Sequence, residues 1–428
     1  MAWQLNRLQS NAKRVAGWNA TALGFTIPIW AVADSILMGL VVLCWAVSGD
    51  WSEKIRRIKT NPVAMAALLL FAWMLLGTFW GDGSLEERAG SLKKYAGLLF
   101  IPLLISMAVE TGVRRRAVLA LAAGLVLTLL LSFGVEFGLV KTGGLIKGWP
   151  SNPFVFKKHL THNVLMAFGV FLFAVLAWQS RATIGRWVWS VLALLAAGNV
   201  VLMVHGRTGY VVLAGLVLLG LHLSYGWRGV TAALVLLTVA FAGAYQVSTA
   251  FHDRVSLAAS GLTQWDPQSV ALDPIGERLE FSRRTVEIIR DHPLIGVGTG
   301  GFVKAYAEKV RETGFPFTNH PHNQYLLIMA QVGIVGLGLL VWLLTQQWRF
   351  ASLTDGAAYG LLARGLVLTM AVGCLFNSLL IDHTEKLLYC WFSGLAYSGI
   401  GPRSAPAADT EVTGAPTTSM ARTTLTQG

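Results

Sequence analysis

Charge is what this chain has least of. Asp, Glu, Lys and Arg supply 13% of its 428 residues, about half the roughly 25% of a soluble domain. With 54% hydrophobic residues and a mean hydropathy of +0.57, that charge cannot cover the surface of a water-soluble protein of this size. An ordinary cytosolic enzyme, a disordered protein and a fibrous repeat are therefore excluded. Cysteine is nearly absent: Cys44, Cys374 and Cys390 each lie in an apolar run without metal-ligand spacing and read as small core residues. Acidic residues number 22 against 34 basic ones, a formal net charge of +12. No basic run interleaved with aromatics lies outside the apolar segments, so nucleic acid is not an expected partner. The excess reads instead as topology signal and contact with anionic lipid. No phosphate loop of the GxxxxGK[ST] kind and no repeat of 20–50 residues is present. No cleavage pattern follows the first apolar run, and residues 1–16 are polar and basic; the first spanning helix is expected to direct insertion.

What is present is apolar length. Sixteen Trp and 45 Gly suit a polytopic membrane protein. A spanning helix needs about 20 mostly apolar residues. Runs near 18–33, 35–49, 62–80, 92–109, 117–138, 162–179, 187–204, 208–224, 231–249, 324–346, 360–381 and 386–400 give about twelve spans. Lys54, Arg56, Arg57, Lys59, Arg114, Arg115, Arg116, Arg181, Arg186, Arg228 and Arg349 fall in alternate connections. With Arg7, Lys13 and Arg14 they mark the cytoplasmic side and place both termini there. Residues 1–249 then hold nine spans and 250–323 a large outer loop with an amphipathic helix. Three further spans occupy 324–403, and 404–428 reads as a disordered cytoplasmic tail. A smaller outer loop runs over 140–160. A loop as long as 250–323 usually carries function, so chemistry is expected to face outward.

Four stretches could carry that chemistry. Residues 275–291 read IGERLEFSRRTVEIIRD: structurally a helix lying on headgroups, chemically a place where an arginine could fork across a diphosphate. The glycine-rich residues 292–302 follow a helix rather than a strand. They read either as a helix stop with tight turns or as backbone approaching a ligand. In residues 319–325, Asn-His-Pro-His-Asn-Gln-Tyr, Pro321 fits the first turn of the re-entering helix. The helix dipole would then keep His322 neutral and able to accept a proton; the bland alternative is capping. Its HxH pattern lacks a third ligand at familiar spacing, so no metal is expected. Arg207, in His-Gly-Arg-Thr-Gly-Tyr, sits near the outer interface, where an ionisable residue is a functional candidate or a snorkelling side chain. Weaker groups face the same side: Arg88, Lys93 and Lys94; Asp382, His383 and Glu385; and Lys157, Lys158, His159 and His162, each read alone as a solvated end.

The Arg-Thr-Gly-Tyr turn between two membrane helices, His-Pro-Leu-Ile-Gly-Val-Gly-Thr-Gly-Gly-Phe in a large outer loop, and His-Asn opening the next helix resemble the bacterial O-antigen ligase family. Its signature is shared with O-antigen polymerases and protein O-oligosaccharyltransferases. The resemblance covers roughly residues 207–327. It implies an all-α, GT-C-like membrane glycosyltransferase of about twelve helices, in the inner membrane, with a periplasmic loop over an outward cavity. The donor would be O-antigen on undecaprenyl diphosphate, the acceptor a sugar hydroxyl of lipid A–core and the product lipopolysaccharide, with no cofactor, nucleotide or metal. Carried onto this chain, the family roles make His322 the catalytic histidine and give the diphosphate to Arg207 with Arg284 or Arg283. His320, Asn323, Arg88, Lys94 and Asp382 would support them. The chemistry needs charge stabilisation on the leaving diphosphate and proton removal from the attacking hydroxyl. Without a plausible carboxylate nucleophile, inversion is expected. One large and one small outer loop favour ligase over polymerase. A lipid-linked sugar flippase, the reading from another class, would instead string its charges along a path through the bilayer.

Overall fold

The computed structural model describes residues 2–263, 265–266, 269–270, 272–354 and 356–400; the tail expected over 404–428 lies outside them. The described chain is helical, with two isolated bridges inside the small loop. In order the helices are α1 (Ala2–Thr26), α2 (Ala31–Val47), α3 (Trp51–Thr60), α4 (Pro62–Leu76), α5 (Leu85–Tyr95), α6 (Phe100–Ser106), α7 (Thr111–Glu136) and α8 (His159–Gln179). Then come α9 (Thr183–Gly198), α10 (Arg207–Val247), α11 (Thr249–Thr263), α12 (Pro274–Asp291), α13 (Phe302–Val310), α14 (Gln324–Phe350), α15 (Ala357–Phe376) and α16 (His383–Tyr397). Local chemistry sets several starts. Asn61 accepts from Val63 and Ala64 ahead of Pro62, Ser84 and Glu87 form a capping box, and Asp273 caps α12 ahead of Pro274.

Among the described residues six stretches are long and apolar enough to cross a membrane alone: Thr111–Glu136, His159–Gln179, Thr183–Met203, Arg207–Val247, Gln324–Leu353 and Ala357–Phe376. The chain is thus a multi-pass membrane protein. The other expected runs are shorter or interrupted helices. The run near 92–109 is divided among the end of α5, a 3-10 turn at Ala96–Leu99 and the seven-residue α6. The runs at 208–224 and 231–249 are the two helical segments of α10, separated as expected by a break, at Gly226 with its non-helical φ of +59°. Residues 2–16, expected as a polar lead, are helical and continuous with the first apolar run.

Nearly every residue of α16 is buried, including Tyr389, Trp391, Phe392 and Tyr397. A helix buried on all faces belongs at the centre of a bundle. Its polar tips are satisfied there: Trp391 donates to the Ala20 carbonyl at 2.8 Å, and Tyr389 to Gln347 Oε1 at 2.6 Å. By contrast Trp187, Leu194, Val235 and Leu236 are more than half exposed, as lipid-facing side chains are.

The glycine-rich stretch locks this frame. Thr299 N–H bonds the Gly77 carbonyl at 2.9 Å, Val297 N–H the Ala330 carbonyl at 2.9 Å, and Gly300 N–H Gln331 Oε1 at 3.1 Å. These bonds wedge it between the end of α4 and the break in α14 at Val332 and Gly333. Of its two expected roles, turn and ligand approach, the turn is the one observed: its backbone approaches other backbone. Gly298 has φ +83°, and a Cβ there would lie 2.2 Å from Gly81 Cα. Gly298→Ala should therefore destabilise the protein by about 2–4 kcal/mol. Gly138 shares the positive φ but has open space around it, so Gly138→Ala should cost only the backbone strain, about 1–2 kcal/mol. Melting in detergent checks the pair; equal losses would mean that the loop yields to the clash.

Candidate active site

The turn before α14 places His322. Asn323 is the N-cap, accepting from Tyr325 and Leu326 N–H at 3.0 and 3.1 Å, and its amide donates to the Leu375 carbonyl. Pro321 thus lies two residues outside the helix, not in its first turn as expected. The reason is His322 itself, whose left-handed φ of +54° cannot continue a helix. Such strain persists where surroundings over-determine it. Here the His322 ring stacks on Phe281 of α12 at 6.0 Å, and its Nδ1 lies 3.3 Å from Asn377 Oδ1.

Asn377, which sequence reasoning missed, ends α15 and is buried. Its Nδ2 donates to Asp382 Oδ2 at 3.0 Å, which turns its carbonyl oxygen toward the histidine. A carbonyl can only accept, so His322 carries its proton on Nδ1 and leaves the Nε2 lone pair free. The turn bearing Asn377 and Asp382 is tied to the same helix start, because Leu380 N–H bonds Gln324 Oε1 at 3.0 Å. Burial, and then the charge of Arg278, push the imidazole basicity of His322 down. His320 takes the other tautomer: its Nδ1 accepts the His322 N–H at 3.3 Å. Burial, then neighbouring His322, Lys94 and Arg278, push it down to about 4. Burial raises the Asp382 carboxyl, against the pull of Lys158 and Asn377.

Arginines gather beside this turn. A pocket of about 210 Å³ is lined by Arg207, Arg254 and Arg278 with His159, His205 and Thr208. Asn163, fully buried, holds its floor: its amide donates to the Gly206 carbonyl at 2.8 Å. Arg254 donates to Tyr210 at 2.8 Å. Burial and the adjacent Arg207 lower the Arg278 guanidinium below its usual range, the direction that desolvation and a like charge impose on a cation. An apolar groove of about 370 Å³ continues from the pocket. It shares Arg207 and Arg254 and is walled by Val211, Ala214, Phe241 and Phe251.

The other expected residues are placed differently. Arg278 and Phe281, three apart, share the face of α12 that meets His322. Arg283 and Arg284 point elsewhere: both bond the fully buried Glu280 at 2.7 Å, reach Glu287 at 3.2 and 3.3 Å, and lie over Phe315. The signal was in the sequence, as acids three and four positions from each arginine. Arg88 donates to the Thr78 carbonyl at 2.9 Å as a structural tie. Lys94 is exposed, and Lys386 donates to its carbonyl at 2.6 Å. His162, expected at a solvated end, is 1% exposed and lies 3.1 Å from Asn199, while Lys157 lies 3.8 Å from buried Asp34. Among the described residues no three of His, Cys, Asp or Glu are grouped to hold a metal ion.

A multi-pass helical protein with an oriented, neutral imidazole beside crowded arginines has the parts of an enzyme acting on an anionic, membrane-borne substrate. Residues 191–341 match the family described as O-antigen ligase. The match spans about a third of the chain and supports an O-antigen ligase/polymerase superfamily member. The matched stretch holds Arg207, Arg254, Arg278, His320 and His322; Asn377 and Asp382 lie beyond it. No curated protein matches the chain.

Proposed function

We propose that the protein transfers O-antigen glycan from undecaprenyl diphosphate to a sugar hydroxyl of lipid A–core, forming lipopolysaccharide. It would act at the periplasmic face of the inner membrane, with both termini cytoplasmic and about twelve membrane passes in a GT-C-like arrangement. The observation that carries this reading is the continuity of the arginine pocket with an apolar groove, next to His322. A lipid diphosphate has the same two-part character.

Arg207, Arg254 and Arg278 would bind the diphosphate and stabilise the charge that develops as the anomeric C–O bond breaks. His322 Nε2 would take the proton of the acceptor hydroxyl as that oxygen bonds to the anomeric carbon. The glycan moves to the acceptor, undecaprenyl diphosphate leaves, and a single displacement inverts the anomeric centre. The dyad of Asn377 and Asp382 holds the reactive tautomer. In this role it replaces the support first sought from Asn323, which caps its helix.

The test is transfer by purified protein in detergent, from undecaprenyl-diphosphate glycan to lipid A–core, with chelator and without nucleotide. Product is expected; elongated lipid-linked glycan without lipid A–core product would make the protein a polymerase instead. Asn377→Leu should reduce kcat by about tenfold or more, bounded above by the ~10²–10⁴-fold contribution of a general base. Because the Asn377 bond raises the His322 basicity, its loss should also move the acid limb of the rate profile to lower pH. An unmoved limb would leave Asn377 a merely structural role.

A further inference from the structure

A second cavity, of about 990 Å³, lies at the opposite end of the bundle from the arginine pocket. Helices α8 and α10 start at that pocket, with His159 and Arg207. The cavity is lined by the far half of α8, within 170–178, and by the stretch of α10 leading to its break at Gly226, within 213–225, with Leu236 beyond the break. Helix α15 returns toward the site and ends beside Asn377, so its contributions, Ala357, Gly360, Leu361 and Arg364, also belong to the far half. Small residues make the space: Ala174 and Gly220 line it, and a Cβ at Gly220 would meet the Phe171 ring at 3.4 Å. Its volume is at the upper end of the ~300–1,000 Å³ typical of ligand clefts.

Among the described residues the lining is apolar and aromatic except for two serines, a tyrosine and one charged residue, Arg364. Arg364 Nε is buried without a hydrogen-bond partner, and the guanidinium lies 6.0 Å from the Trp348 ring. Arg364 stands seven residues into α15, about 10 Å along it at 1.5 Å per residue, a depth from which a guanidinium reaches headgroups. Trp178 and Tyr225, 61% and 68% exposed, form the rim, as interfacial aromatics do. A cleft open between membrane helices draws its occupant from the lipid, and a cation among apolar walls selects a negative headgroup.

We infer that this cavity binds one anionic phospholipid from the leaflet opposite the arginine pocket, with its phosphate on Arg364 and an acyl chain against Phe171, Leu213 and Leu216. The bound lipid joins α8, α10 and α15, the helices that carry Asn163, Arg207 and Asn377 at their other ends. The inference is independent of which glycan the enzyme transfers.

The purified protein is titrated with dioleoylphosphatidylglycerol or dioleoylphosphatidylcholine in detergent, and melting and lipid adducts by native mass spectrometry are recorded. Phosphatidylglycerol should give one adduct per chain and raise the melting temperature by roughly 3–5 °C near saturation. Phosphatidylcholine should do neither. Arg364→Gln should remove the difference between the lipids. Ala174→Phe, which fills the cavity and leaves the arginine, should remove the adduct. Equal binding of both lipids by the wild-type protein overturns the inference without recourse to either variant. So does a shift given by undecaprenyl phosphate and not by phosphatidylglycerol, which would assign the cavity to the carrier's tail.

Discussion

Replacing His322 by alanine should lower glycan transfer by about 10²–10⁴-fold, the usual contribution of a general base, with expression and melting close to wild type. The side chain is partly buried, and its contacts are the Phe281 and His320 rings and a bond to Asn377, so modest packing goes with it. The pH profile supplies a second readout. Burial and Arg278 hold the imidazole below its ordinary value of 6.5. A base works deprotonated, so activity should persist below pH 6.5 and fall only as acidity reaches the depressed value. The linked stability has the same direction: folding favours the neutral ring, so this contribution is present above the unfolded-state value and is lost on acidification. Substantial residual turnover in His322→Ala, or an acid limb at or above that of free imidazole, would remove His322 from the base role.

The second large effect distinguishes two arginines six positions apart. Arg278→Gln should reduce kcat by about 10²–10³-fold, as does losing one donor aimed at a developing anion. Arg278→Lys should fail as well, because an ammonium cannot fork across two phosphate oxygens. Arg284→Gln should instead act on stability. It leaves buried Glu280 with Arg283 alone, a loss of about 1–3 kcal/mol, with kcat changed only severalfold. Melting and single-turnover transfer on the three variants separate the outcomes. Were Arg284→Gln the more damaging to chemistry at unchanged melting temperature, the diphosphate would belong to Arg284, the position to which the family resemblance first gave it.

Much of the fold was legible in the sequence. Helix α12 follows from its Asp-Pro start and helical spacing, and α14 from the apolar run behind Asn323. The breaks were less so. Gly226 falls in the connection expected between two runs, but Gly333 lies inside an apolar run, where composition does not distinguish a straight helix from a broken one. The site was legible in part. His322 and Arg207 stand out because a charged or ionisable group beside an apolar run must have a reason to be there. Arg278 did not stand out from Arg283, Arg284 and Arg290, since four arginines on one helix differ only in the face they occupy. Asn377 gave no signal, as one amide at a helix end.

Composition and periodicity determined that this chain is a helical membrane protein, and a few motifs carried its resemblance to the O-antigen ligase family, because hydrophobic length and local backbone chemistry are properties of neighbours in sequence. Which arginines meet, which tautomer His322 adopts and where Arg283 and Arg284 spend their charge were decided only by tertiary structure. Those properties depend on distances between residues up to about 170 positions apart, from Arg207 to Asn377, and at the site an electrostatic contact acts over a few ångströms in space, whatever the separation along the chain.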